Sequence, residues 1–379
     1  MDARIVIDDK IPFVRGVFEP YAQVSYLPGA GIGPDDVRDA DALIVRTRTA
    51  CNEALLKGSR VRVVATATIG YDHLDTRWLE SEGIAWYNAP GCNSGSVSHY
   101  VASVLAVLAQ KHGIDLSSAT LGIVGVGHVG KKVADVARAF GMEVLLNDPP
   151  RARNEGENGF VCLDELVRKS DIISLHVPLV REGEFPTYHL FDEKRIASVG
   201  KRGILINSSR GEVVDNMALK CALENGSLKG AVLDVWEGEP AIDASLASLL
   251  DVATPHIAGY SADGKAAGTE MAVHAVAESL GLPLAGWKVE DVPGPSVAAE
   301  FGIDAHGKTV GQVLSEAVLH TYDVRSDSGA LLSAVSSFEH LRGCYGVRRE
   351  PAAFRICLSG GPDGCPDRLR DLGFSAELV

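Results

Sequence analysis

The sequence predicts an α/β protein with two doubly wound parallel sheets and a further C-terminal module. Three observations carry that expectation. Short apolar runs alternate with helical patterns through most of the chain, as parallel strands covered by helices on both faces require. One run leads directly into Gly125-Val126-Gly127-His128-Val129-Gly130, a glycine-rich turn that opens a helix. At 379 residues the chain is also too long for one ordinary core.

The first sheet is expected from Arg4–Ile7, Ala42–Val45, Val61–Ala65 and Ile84–Tyr87, with helices near Asn52–Lys57 and Asp75–Glu82. A long helix follows over 96–111. The second sheet then takes Thr120–Val124, Glu143–Asn147, Ile172–His176, Gly203–Asn207, Gly230–Asp234 and Asp251–Thr254, with a helix at Lys131–Phe140. A helix from Gly264 to Leu280 carries the chain back to the first unit. Gly281–Leu284 and Val292–Pro295 are rich in Pro and Gly and read as a linker. Beyond it, a helix at Gly311–His320 and a strand at Phe354–Leu358 form the last module, of α+β type.

Composition excludes several classes. A net charge of −14 argues against nucleic acid and against an anionic membrane surface, both of which need a basic face. Val101–Ala109, the most apolar stretch, is interrupted by Ser103 and too short to span a bilayer. Met1–Asp9 reads as a charged strand start rather than a secretory leader. Seven cysteines without a Cys-x-x-Cys pair point to reduced thiols in the cytoplasm, with no disulfide frame and no metal site.

The glycine turn follows a strand and precedes a helix, the context in which such a turn cradles a pyrophosphate. Asp148 stands 18 positions beyond Gly130 at the end of the next strand. There it can accept hydrogen bonds from both ribose hydroxyls of NAD and would repel the extra phosphate of NADP. His176-Val177-Pro178-Leu179 closes another strand. Val177 offers the cofactor only its backbone. His176 either faces the cofactor or bonds backbone, and stands outside the catalytic set.

Three later segments offer a guanidinium, a carboxylate and an imidazole: Asn207-Ser208-Ser209-Arg210-Gly211, Asp234–Pro240 and Thr254–Gly259. Singly, Arg210 reads as a surface ion pair, Glu239 as a loop carboxylate and His256 as a loop histidine. Their placement after successive strands makes them one site, because ligands bind at the carboxyl ends of such strands. Oxidising a secondary alcohol needs the hydroxyl proton removed as hydride leaves the same carbon, a task suited to histidine. A carboxylate beside the ring would orient it, and an arginine can grip a substrate carboxylate with two parallel bonds.

Together these motifs resemble the D-isomer-specific 2-hydroxyacid dehydrogenase family. Gly125–Gly130, Asp148, His176–Leu179, Asn207–Gly211, Asp234–Pro240 and Pro255–Gly259 stand in that family's order over roughly residues 1–285. The resemblance implies flavodoxin-like and Rossmann-like domains, with Arg210 as carboxylate anchor, Glu239 as histidine partner and His256 as general base. It implies an NAD site from Gly125, Gly127, His128, Val129, Gly130, Asp148, Val177, Ser208, Ser209, Arg210, Asp234 and Gly259. The domains expected are 1–95 with 258–285 for substrate (the lid), 96–257 for NAD, and 286–379 for pairing two chains as a homodimer.

The nearer likeness is to a branch with that extra module. It is carried by Ala65–His73, Ala89–Asn93, Asp148–Pro150, Leu233–Pro240, Thr254–Tyr260, Tyr322–Arg325 and Arg348–Glu350. Arg151–Asn158 and Val177 depart from the pattern. A small phosphorylated 2-hydroxy acid is the expected substrate, and its second anion calls for cations or hydroxyls away from Arg210. Arg46, Thr47 and Arg48, with Thr68, are candidates after the N-terminal strands, and Tyr260 can donate as well. Arg348 and Arg349 are a second cationic pair, in their own site or a partner's; alternatively the two arginines form a solvated face and Tyr260 only packs. Two other functions stay open here: another acid of the family, such as 3-phosphoglycerate or glyoxylate and hydroxypyruvate, or an NAD-sensing interaction protein on the same fold.

Overall fold

The structure, a computed structural model, describes residues 3–379. Of the opening stretch Met1–Asp9, Met1 and Asp2 lie outside the described residues. The chain divides into two compact units, Met1–Asn93 with Ser261–Pro293, and Ser94–Tyr260 with Gly294–Val379.

The first unit holds β1 (Arg4–Asp8), β2 (Gln23–Leu27), β3 (Ala42–Val45), β4 (Val63–Thr66) and β5 (Ala85–Tyr87), all parallel in the order β2-β1-β3-β4-β5. Strands β3 and β4 are buried along their whole length, which is why they read as unbroken apolar runs. The sequence reading missed β2. It is an edge strand whose Gln23 and Ser25 are exposed, so it lacks the continuous apolar signature.

The returning helix Ala262–Leu280 starts where Ser261 Oγ accepts the Gly264 N–H at 2.8 Å, and stops at Gly281, whose φ of +67° is left-handed. Its Ala272, Val273, Val276 and Ala277 join Ile5, Ile7, Ile44 and Val63 in one core. A Cβ on Gly268 would stand 2.6 Å from the Ala67 carbonyl oxygen, so that glycine sets how closely helix and sheet approach.

The second unit holds β6 (Thr120–Val124), β7 (Glu143–Asn147), β8 (Ile172–Leu175), β9 (Ile204–Asn207), β10 (Gly230–Leu233) and β11 (Val252–Ala253), parallel in the order β11-β10-β9-β8-β6-β7. Its helix Ser94–His112 is buried over most of its circumference, as expected of a helix apolar all round. Ser103 within it is satisfied on both sides: its Oγ donates to the Tyr322 carbonyl at 2.8 Å and accepts from the Val324 amide at 3.0 Å.

The segment Gly294–Val379 adds a third parallel sheet, β12 (Glu300–Asp304), β13 (Arg355–Ser359) and β14 (Ser375–Leu378), in the order β12-β13-β14. Ile303, Leu314, Ile356 and Leu369 of this segment share one core with Val104, Leu121 and Val133. Helix Val310–Thr321 opens with a capping box between Thr309 and Gln312. Among the described residues no helix is long and apolar enough to cross a membrane, and no cluster of His, Cys, Asp and Glu is arranged to hold a metal.

Candidate active site

Strand β6 ends in Gly125, whose φ of +89° only glycine adopts without strain. A Cβ there would stand 2.5 Å from the His176 carbonyl oxygen, and one on Gly130 would stand 2.0 Å from the Gly125 carbonyl oxygen. Gly130 thus lets the helix His128–Ala139 close on the turn, and Gly125 lets the turn pass against the chain that leaves β8. Gly127 is different. It caps that helix, and nothing lies within 4 Å of where its Cβ would be. Beside it, the His128 residue is exposed and Val129 half-buried. The result is an open helix N-terminus able to take an anion.

Asp148 caps the helix Pro149–Glu155 through its Oδ1 and the Arg151 amide at 3.1 Å. Its Oδ2 accepts the Val126 amide at 2.8 Å, which ties the carboxylate to the glycine turn. Arg151 completes the brace, donating to the Val126 carbonyl at 2.7 Å while pairing with Glu155. Arg151 was missed as a site residue, although Asp-Pro-Pro-Arg is a legible helix start. A carboxylate offers about four lone-pair directions, so Asp148, only half-buried, keeps capacity for ribose hydroxyls. Val177 is half-buried at the end of β8. His176 Nε2 lies 2.9 Å from Ser174 Oγ, and burial pushes the ring down to about 3, so it stays neutral.

Arg210, Glu239 and His256 follow β9, β10 and β11, three neighbouring strands. Asn207 organises the first loop: its Oδ1 accepts from the Ser209 amide at 3.1 Å and hydroxyl at 2.8 Å, and its Nδ2 donates to the Arg210 carbonyl at 2.8 Å. Asparagine favours such local side-chain turns. Arg210 Nη1 donates to the Ser209 carbonyl at 2.8 Å. A Cβ on Gly211 would stand 2.0 Å from the Trp236 carbonyl oxygen, so this glycine brings the Arg210 loop against the Glu239 loop. Ser208 Oγ is buried without a hydrogen-bond partner in the protein, an unfilled polar position at the same strand ends as the glycine turn. It and the glycine cradle fit a dinucleotide.

His256 Nδ1 lies 2.7 Å from Glu239 Oε2, and Glu239 Oε1 accepts the Trp236 amide at 2.9 Å. With its proton on Nδ1 the ring donates to Glu239 and presents Nε2 as an acceptor. The backbone is strained here, since His256 has a φ of +57°. Asp234 helps to hold it. Its carbonyl accepts the His256 amide at 2.8 Å. Its buried carboxylate accepts from Thr254 Oγ1 at 2.7 Å, the Ile257 amide at 2.8 Å and the Ala258 amide at 3.0 Å. Burial pushes this carboxyl up, while His256 and those bonds oppose the shift. Asp234, expected at the cofactor site, also holds the His256 loop through its oxygens. Tyr100, whose hydroxyl lies 2.8 Å from Thr254 Oγ1, backs that arrangement and gave no sequence signal. Gly259 follows Ala258 on this loop.

The expected substrate contacts fall in different places. In the first unit Arg46 binds the buried Asp8 through Nε at 3.2 Å and Nη2 at 3.3 Å. Thr47 is exposed, and Thr68 Oγ1 donates to the Gly70 carbonyl at 2.9 Å. In the second unit Tyr260 receives a hydrogen bond from Arg342 Nε at 3.0 Å. Arg342 was not singled out from the sequence, because nothing local links it to Tyr260. Of the two readings of Arg348, the solvated face is excluded: the residue is 5% exposed and donates to the Ala258 carbonyl at 2.5 Å. Arg349 beside it is half-buried. Glu350, the third residue of that motif, accepts from Ser96 Oγ at 2.9 Å near the start of helix Ser94–His112, where the helix dipole favours a negative charge.

The chain is similar to known proteins over most of its length. The family described as D-isomer specific 2-hydroxyacid dehydrogenase, NAD binding domain, matches residues 102–258. The chain is 46% identical over 361 residues to an erythronate-4-phosphate dehydrogenase of Bacteroides fragilis, covering 94% of this chain and 99% of that protein. It is 42% identical over 378 residues to the enzyme of the same name from Azotobacter vinelandii, covering 98% and 99%. Among solved structures it is similar to the D-lactate dehydrogenase of Aquifex aeolicus complexed with NAD and lactic acid, with a TM-score of 0.61 and 26% identity over 73% of this chain and 96% of that one. The TT0316 protein of Thermus thermophilus gives a TM-score of 0.63 at 27% identity, covering 74% and 97%.

Proposed function

This chain belongs to the D-isomer specific 2-hydroxyacid dehydrogenase family, and we propose that it oxidises 4-phospho-D-erythronate to (R)-3-hydroxy-2-oxo-4-phosphooxybutanoate, a step toward pyridoxal 5′-phosphate. The observation that carries the chemistry is the 2.7 Å contact between His256 and Glu239 at the strand ends of the unit that holds the glycine turn. The substrate is supported by relatives of that name spanning nearly the whole chain, including its C-terminal segment.

Arg210 grips the substrate carboxylate with its guanidinium fork. His256 Nε2 takes the proton of the 2-hydroxyl, and Glu239 stabilises the imidazolium so formed. NAD, when bound, supplies the acceptor for the hydride on the same carbon. The backbone around Gly127, His128, Val129 and Gly130 would hold its pyrophosphate, Asp148 its adenosine ribose, and Val177, Ser208, Ser209, Asp234 and Gly259 the remainder. Arg46, Thr47, Thr68, Tyr260 and Arg349 are proposed to contact the acid.

The experiment is NADH formation from NAD with 4-phosphoerythronate, 3-phosphoglycerate and D-lactate in parallel. We expect kcat/KM for phosphoerythronate to lead by at least about tenfold, roughly 1.4 kcal/mol of transition-state preference. A lead for another acid would discard the substrate and keep the mechanism. Silence on all three with NAD still bound would favour a sensing role. We also propose a cytoplasmic homodimer paired through 286–379. Truncation after Leu284 should then leave a monomer, well below half the parental solution mass because each chain is also shortened, and an unchanged oligomeric state would refute the pairing.

A further inference from the structure

Arg348 is a cation buried at a cost. An ion removed from water needs compensation, and two of its nitrogens, Nε and Nη1, are buried without a hydrogen-bond acceptor. Aromatic rings supply part of what is missing. The guanidinium carbon lies 4.4 Å from the Tyr322 ring centroid and 5.9 Å from that of Tyr345, within cation–π range. Behind those rings, both phenols donate to Asp327 Oδ2, at 2.7 and 2.8 Å, so a carboxylate balances the cation through two tyrosines. A leucine or methionine would fill such a slot without the desolvation cost. What the guanidinium adds is Nη2, which donates to the Ala258 carbonyl at 2.5 Å and the Ser96 carbonyl at 3.4 Å.

Ala258 is two residues past His256, and its amide is already held by Asp234 Oδ2 at 3.0 Å. The peptide units on either side of Ala258 are therefore fixed separately, one through its N–H and the next through its carbonyl. A non-glycine residue at a φ of +57° persists only where its surroundings over-determine it. We infer that Arg348 is a positioning residue for His256, a hold on the base-bearing loop supplied by the C-terminal segment. The inference rests on the proposed role of His256 as base. It makes that segment part of the catalytic geometry as well as of any pairing between chains.

Arg348→Met and Arg348→Lys in the full chain test it, by turnover, by NAD affinity, and by NMR of the His256 ring without substrate. Both variants should lose about 10–100-fold in kcat, the scale of a displaced reacting group, with NAD affinity within about twofold of the parent. The His256 ring nitrogen shifts should move in both. A folded variant with parental kcat and unmoved His256 shifts overturns the inference. If Arg348→Met fails to fold, Arg348→Lys decides by the same readings; if neither folds, the role is structural and the inference falls. Should the parent oxidise none of the acids, the proposed function fails by itself. The NMR shifts then still decide whether Arg348 holds the ring.

Discussion

The two doubly wound units place opposite chemistry at equivalent positions. In each, the first strand lies between the second and third: β1 between β2 and β3, β6 between β7 and β8. Strand β1 ends in Asp8, whose side chain is fully buried, meets Arg46 and accepts the Lys10 amide at 2.9 Å. A Cβ on Gly29 would stand 2.4 Å from Asp8 Oδ2, so that strand end is closed by a carboxylate. Strand β6 runs instead into Gly125 and an open helix N-terminus. One topology thus fills the end of its first strand with a paired carboxylate where the other leaves that end open to an anion. Fold does not set function here; the residues at the strand ends do.

The sharpest way to break the comparison is to remove the base from the second unit. His256→Ala should lower kcat by about 10²–10⁴-fold, the usual contribution of a positioned general base. NAD affinity should stay near its parental value, because the glycine turn is untouched. Near-parental turnover in a folded variant would remove His256 from the chemistry and leave the strand-end argument without its main support.

Glycine substitutions separate what a turn needs from what a ligand needs. Gly130→Ala forces a methyl against the Gly125 backbone, so we expect about 1–3 kcal/mol of lost stability together with weakened NAD binding. Gly127→Ala has open space and an ordinary φ of −76°. Its stability should change by less than about 0.5 kcal/mol, while NAD affinity falls at least about tenfold as the methyl meets the pyrophosphate. Gly29→Ala in the first unit should disturb the Asp8–Arg46 pair and leave NAD affinity alone. Calorimetric titration and thermal unfolding of the three variants check this. Tight NAD binding by Gly127→Ala would mean that the open N-terminus is not the anion site.

Much of this was legible because buried parallel strands advertise themselves. Ala42–Val45 and Ile204–Asn207 are unbroken runs in sequence and buried throughout in structure. The proposed catalytic residues stand in the loops after such runs, so Arg210, Glu239 and His256 were readable as candidates for one site. Strand β2 was not, because its outward face is polar. The surroundings of Arg348 were hidden for another reason: Arg348-Arg349 looks like a cationic patch until Tyr322, Tyr345 and Ala258 converge on Arg348 from distant parts of the chain. Arg342 beside Tyr260 is the same case. Pairings of that kind depend on tertiary approach, which neither composition nor spacing encodes.

Acidification sharpens the comparison at smaller amplitude. Burial lowers His73 in the first unit to about 4, and His99 and His176 in the second to about 3 each. The unfolded chain binds these protons near 6.5, so each ring contributes stability that is complete above that pH. The contribution is lost as pH falls toward the folded values. The slope is at most about 1.4 kcal/mol per pH unit for each ring, reduced where water reaches it. Two such rings stand in the second unit against one in the first. His176→Gln should therefore flatten the fall in unfolding free energy between pH 6 and 4 at least as much as His73→Gln. The unit that carries the proposed chemistry would then be the more acid-sensitive one. A steeper dependence in His176→Gln than in the parent would contradict a neutral His176, and with it the view that this histidine stands outside the proton transfer.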